Sequence, residues 1–211
     1  MSLGRVFLLS TLLCATLLPA QSEKNVVEIA PGVTLPATGT IYGQDSGLGS
    51  ASKGPSLLQL HPTEILANTH AGSNFARSMV YSGPHSTIEI GGVSSAATFH
   101  TAQAVFYVRL GGDEPELLRN RVKILRLWSV KDRRVVSEFS MNIFGGHRKQ
   151  QYDEIPASKS DVEGTNWLKL TPQSPLEPGE YGIVFMPKDP NFFADSVYDF
   201  NVAGDPAPKK K

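Results

Sequence analysis

A chain of 211 residues with 40% hydrophobic side chains is long enough for one or two domains and rich enough in apolar groups to bury a core. Its 20 basic and 20 acidic side chains cancel to a formal net charge of +0, which removes any general electrostatic drive toward nucleic acid or an anionic surface. A single cysteine, Cys14, excludes an intramolecular disulfide framework.

Residues 1–22 differ in kind from the rest of the chain. Arg5 precedes an apolar run from Val6 to Leu18, and small residues stand at Ala20 and Ser22, the pattern of a secretory signal peptide with cleavage expected after Ser22. The run is shorter than the roughly 18 residues a membrane-spanning helix needs, so export without a transmembrane anchor is expected. Loss of Arg5 takes the starting 20 basic and 20 acidic groups to 19 and 20, and the mature chain keeps no cysteine. No asparagine begins an Asn-x-Ser/Thr sequon. Both absences tilt the reading toward a bacterial periplasmic or secreted protein.

Val26, Val27 and Ile29 read as a short strand ended by Pro31-Gly32. Residues 43–56 are rich in Gly and Ser and read as a loop. Leu57, Leu58 and Leu60 form the next strand, stopped by His61-Pro62, and a hairpin is expected from Met79 through Ser82-Gly83-Pro84 to Ile90. The continuous apolar run Ala104 to Leu110 fits a central strand buried on both sides. Asp113, Pro115 and Glu116 cap a short helical turn over Leu117 and Leu118.

Val122 to Val130 fits either a continuing helix or a strand. The strand is preferred, since Val122, Ile124, Trp128 and Val130 share one face and Lys131-Asp132-Arg133 reads as a turn into Val135. Shorter strands come next at Met141–Phe144 and Tyr152–Ile155, and Glu163-Gly164 turns the chain into Trp167–Leu170. The last two strands run to Met186 and from Val197 to Val202.

The run Leu176-Glu177-Pro178-Gly179-Glu180-Tyr181 resembles the Leu-x-Pro-Gly corner before a late strand in immunoglobulin-like and fibronectin type III-like sandwiches, where a nearby tyrosine returns its hydroxyl to the backbone. Fibronectin-type corners generally place one more residue between the glycine and the tyrosine. The whole chain resembles exported bacterial envelope proteins with the same ending. The resemblance implies an all-β fold, with an immunoglobulin-like sandwich over 98–203 preceded by a small, loop-rich β unit over 23–97. Residues 204–211 form a basic tail. Leu176, Pro178, Gly179 and Tyr181 are expected as structural determinants of the corner.

No catalytic motif is complete. Gly43-Gln44-Asp45-Ser46-Gly47 is similar to the nucleophile turn of chymotrypsin-like proteases, but Gln44 interrupts it and every histidine lies after Ser46, against that family's order. The histidines lie too far apart in sequence to form a close metal-binding pair, and no Gly-rich segment carries phosphate-cradling spacing, so no cofactor or metal is expected.

The leading expectation is an exported, non-enzymatic β-sandwich protein that binds or supports an envelope or extracellular protein or polysaccharide. Adjacent Phe192 and Phe193 are its candidate binding residues, because an extended loop would point one of them to solvent. One alternative is a hydrolase or metal-dependent enzyme assembled from among Asp45, Ser46, His61, His70, His85 and His147. Another is a carbohydrate-binding module using Trp128 and Trp167.

Overall fold

The computed structural model describes residues 27–36, 38–46, 55–66, 85–111, 115–141, 148–189 and 193–204. The expected signal peptide, the tail beyond Gly204 and the first half of the hairpin expected at 79–90 lie outside the described residues. The fold is all-β.

Its main feature is a sheet that closes on itself. Strands β5 (Pro62–Leu66) and β6 (His85–Gly91) pair antiparallel, and β6 pairs with β10 (Arg133–Met141). On the other side β5 pairs with β16 (Ser196–Val202), β16 with β15 (Gly179–Phe185), and β15 with β9 (Val122–Val130). The β9–β10 hairpin, with Trp128 opposite Val135 and Val130 opposite Arg133, joins the two ends into a closed 6-strand barrel. Lys131, at φ 58, makes the turn expected there. An immunoglobulin-like sandwich keeps two open sheets; closure of this sheet corrects that expectation.

A 5-stranded sheet packs on the barrel wall. Its order is β13 (Ala157–Asp161), β14 (Trp167–Pro172), β8 (Val105–Arg109), β3 (Ile41–Asp45) and β4 (Ser56–Leu60). The chain passes between the layers at two single-residue corners. His61 separates β4 from β5, and Pro156 separates β12 (Asp153–Ile155), which pairs with β9, from β13. Proline suits the start of β5 and the Pro156 corner because it has no N–H to offer a ladder. Strands β11 (Arg148–Gln151), β7 (Thr98–Phe99) and the hairpin β1 (Val27–Ala30) to β2 (Val33–Leu35) complete the sheets. Helix α1 (Pro115–Arg121) starts on its proline, as expected.

The boundary expected near residue 97 runs through both layers: β3 pairs with β8, β5 with β16, and β6 with β10. The loop expected at 43–56 is also shorter at its start. Gly43, Gln44 and Asp45 are strand residues, and Gly43 is glycine because an added Cβ would fall 2.2 Å from Phe99 Cζ. Small and polar residues hid a strand whose apolar cover comes from a ring 56 positions away.

Two apolar clusters divide the interior. Between the layers, Ile41, Phe99, Phe106, Val108, Ile124, Leu168, Leu170, Tyr181, Ile183 and Phe200 are buried together. Phe106 and Phe200 lie 4.7 Å apart, and Tyr181 stacks on Phe200 at 5.4 Å. Inside the barrel, Ile90, Leu125, Leu127, Val136, Val184 and Val197 fill the lumen, so it is a packed core.

The corner at 176–181 has a defined geometry. Leu176 is buried, Gly179 takes φ 149, and Tyr181 donates its hydroxyl to Glu177 O at 2.7 Å despite the short spacing. Tyr42 makes the same four-residue return, to Thr38 O at 2.8 Å. Tyr181→Phe should cost about 1 kcal/mol through loss of that hydrogen bond, read from urea unfolding, with the fold retained. Gly182 supplies a sharper test, since its added Cβ would lie 2.3 Å from Val197 Cγ1. Gly182→Ala should cost about 1–3 kcal/mol by overpacking and should be partly rescued by Val197→Ala. Gly111→Ala, with nothing within 4 Å of its Cβ, is the control.

Candidate functional site

The two ends of the barrel differ in chemistry. At one, where β5, β6 and β15 meet Ala194, the lumen ends in Ile65, Ile88, Met186 and Phe193 packed on the apolar cluster. At the other, alternation along β10, β15 and β16 turns Arg134, Glu180 and Asp199 toward one another.

Arg134 is 2% exposed and Asp199 7%. One Arg134 guanidinium nitrogen lies 2.6 Å from Asp199 Oδ2 and 3.1 Å from Glu180 Oε2. Thr63 donates to the other Asp199 oxygen. The remaining guanidinium nitrogens donate to backbone, with Nε 3.1 Å from Gly92 O and Nη2 3.0 Å from Gly91 O. Thus a buried cation with two carboxylates also holds the start of the 91–95 loop.

The loop is tied at its other end as well. Ser94 Oγ donates to Glu180 at 2.6 Å, Ser95 N donates to the same carboxylate at 2.9 Å, and Ser95 Oγ donates to Asp199 O at 2.9 Å. Ser129 Oγ donates to Val93 O at 2.9 Å, fixing the loop against β9. Gly92, at φ +82, makes the bend. Val93 and Val130 are held at this end with 59% and 47% of their surface exposed, among the most exposed large apolar side chains described.

An open groove continues from this end along the outer face of β9 and β10. Trp128, Arg133, Glu138, Gln151 and Asp153 line it. Trp128 is half-buried and stands opposite Val135 in the β9–β10 hairpin.

The sequence-derived candidates scatter. Phe192 lies outside the described residues, and Phe193 is half-buried against the lumen cluster. Asp45 is buried and accepts from both the backbone N and Nδ1 of His100, at 3.1 and 2.9 Å, a clamp on the turn after β7. Ser46 and His61 are exposed; His70 and His147 lie outside the described residues, as does the His85 side chain. Among the described residues no group of three or more His, Cys, Asp or Glu could hold a metal ion. Trp167 is 3% exposed and packs edge-on to Tyr42 at 5.9 Å, so it offers no sugar-stacking face. Among the described residues no helix is long and apolar enough to cross a membrane.

Arg134 and Asp199 were missed because a lumen face looks like a solvent face in sequence. The available signal was Asp199 on the Val197 face of a strand whose opposite face, Tyr198, Phe200 and Val202, is also apolar. A strand with two apolar faces has no solvent side for a carboxylate.

Comparison with family models, with curated proteins and with solved structures finds no match. The fold and this barrel end define the chain as an all-β protein with a closed barrel and a polar plug.

Burial by itself would raise the Asp199 carboxyl, but the Thr63 and Arg134 hydrogen bonds and the Arg134 charge outweigh it and hold the group below its ordinary value. A folded value below the unfolded one stabilises the fold above the unfolded value, about 3.9, and that stability is lost as pH falls through the folded value. Urea unfolding of wild type should therefore weaken below about pH 4. Asp199→Ala should cost about 3–5 kcal/mol at pH 7 and flatten that acid limb.

Proposed function

We propose that this chain is an exported, non-enzymatic binding protein of the bacterial envelope or extracellular space, and that it makes contact through the barrel end carrying the 91–95 loop. Export is supported by Arg5, the Val6–Leu18 run and the small residues before the expected cleavage after Ser22. The observation that carries the reading is the buried cluster itself. An ion cluster of this kind is often no more stabilising than apolar residues of the same volume. What Arg134 adds is position: its two backbone hydrogen bonds, with those from Ser94 and Ser95 to Glu180, hold in place a loop that exposes Val93 beside Val130. A preorganised surface loses little freedom when a partner docks.

The far end of the barrel is a poorer candidate, because Phe193 there is half-buried against its own core. The hydrolase alternative has no support from His61 or Ser46, and the described Asp45–His100 pair serves a turn.

Expression of the full chain in a bacterium should yield a periplasmic or secreted product beginning at Glu23; intact chain in the cytosol would sink the export claim. Immobilised mature protein should recover its partners from envelope extracts about tenfold better than the Val93→Glu/Val130→Glu variant. Equal recovery by a variant with unchanged circular dichroism would move the contact surface elsewhere.

A further inference from the structure

The β1–β2 hairpin stands apart from both layers of the fold. Its strands form a sheet of their own, with Val27 opposite Leu35 and Glu28 opposite Thr34, and neither pairs with any other described strand. Gly32, at φ 76, makes its turn and donates its N–H to Glu28 Oε1 at 2.8 Å, a bond internal to the hairpin. Among the described residues no hydrogen bond or ion pair joins 27–35 to the rest of the chain.

What holds the hairpin is side-chain packing. Strands β3, β8 and β14 send Ile41, Phe106, Val108 and Leu168 between the layers and turn Tyr42, Tyr107 and Trp167 to the outer face of the 5-stranded sheet. Val27, Ile29 and Leu35 lie over those three rings. Under them Tyr42 is 5% exposed, and Tyr107 and Trp167 are 3% exposed. The attachment to the sheet is sharply bounded. Tyr42 donates its hydroxyl to Thr38 O at 2.8 Å and Arg109 N donates to Thr40 O at 2.8 Å, so the chain is anchored from Thr38 onward. Gly39, at φ +93, makes the bend beneath the Tyr42 ring.

We propose that β1–β2 is a hinged cover, which lifts as a unit about the link before Thr38 while the barrel and the 5-stranded sheet stay folded, and so uncovers a strip of three aromatic rings. It is a device separate from the contact surface at the barrel end. Lifting breaks no ladder of the body, and only the packing of Val27, Ile29 and Leu35 opposes it. A two-stranded hairpin is marginal in water by itself, so the hairpin has no independent hold on its place. The barrel opens only when pairings around a closed ring break. A segment with few apolar contacts and no shared backbone hydrogen bonds opens at lower free energy than the whole molecule. The anchored joint keeps the Tyr42–Thr38 bond on the body, so the uncovered rings keep their arrangement.

The test is native-state hydrogen exchange, followed by NMR on the mature protein labelled with nitrogen-15 and held in low urea. Amides paired between β1 and β2 should open at least about a hundredfold more often than those of β9, β15 and β16. Their opening should depend little on urea, because lifting exposes little surface. Leu35→Ala should speed hairpin exchange at least about tenfold. Ile90→Val, in the barrel lumen, should speed exchange of β15 and β16 about fivefold and leave the hairpin rates unchanged. Hairpin amides that share the urea dependence of the barrel and accelerate with it in Ile90→Val overturn the proposal, since the hairpin then opens only with the whole molecule. A hairpin rate unmoved by Leu35→Ala overturns it as well.

Discussion

Strands β9, β15 and β16 must bury both of their faces, and the remaining architecture results from that constraint. On β15, Tyr181 and Ile183 point between the layers while Gly182 and Val184 point into the lumen; on β16, Phe200 and Val202 oppose Val197 and Asp199. A strand apolar on both sides needs cover on both sides. The 5-stranded sheet covers one. The other is covered by the sheet's own continuation through β5, β6 and β10, which closes into a barrel and leaves the inner face of β16 no route to water. Closure also removes edges that would otherwise invite pairing with another chain. The corners at His61 and Pro156 let the same chain serve both layers, because each needs only one residue outside a strand.

Closing a small barrel raises a problem at its ends, where lumen side chains meet solvent. The two ends solve it differently. One is stopped with Phe193, Met186 and Ala194, which continue the apolar core. The other carries Arg134 between two carboxylates, with Thr63, Gly91 and Gly92 completing the hydrogen bonds. The apolar stop tolerates small shifts, since van der Waals contact is not directional. The ionic plug does not, because a guanidinium offers its donors in a fixed fork and each unmet donor in a buried site is costly. The polar end is therefore the geometrically determined one, and it is there that apolar side chains are left exposed.

Sequence patterns revealed elements whose causes are local. The short helix at Pro115, the turn at Lys131, the strand at Val105–Arg109 and the corner at 176–181 depend on residues within a few positions, and their signals stood in those residues. Closure was invisible because it is a matter of pairing over long separations, such as Thr63 opposite Val197. Strand β13 was missed for a related reason: Ala157-Ser158-Lys159-Ser160-Asp161 is mostly exposed at a sheet edge, so it carries no hydrophobic period. The site was less legible than the fold. Trp128 and Val130 were placed on one strand face, but nothing local distinguished their outward, partly open positions from the buried positions of Val122 and Ile124 on that same face.

That single face of β9 shows how the constraint of two-sided burial meets the proposed function. Its period-two apolar pattern runs from Val122 to Val130 with one interruption at Arg126, and its cover changes there. The 5-stranded sheet covers the first positions of the pattern, and Arg126, lying over Tyr181 and paired with Glu177, marks where that cover ends. At 128 the indole stands opposite the buried Val135, whereas at 130 a polar residue would have served the β9–β10 hairpin as well, since its backbone pairing does not depend on that side chain. The valine at 130 leaves 47% of its surface exposed. It lies at the barrel end whose loop is fixed by the buried Arg134 cluster, and the contact surface proposed there is the physical reason offered for that exposure.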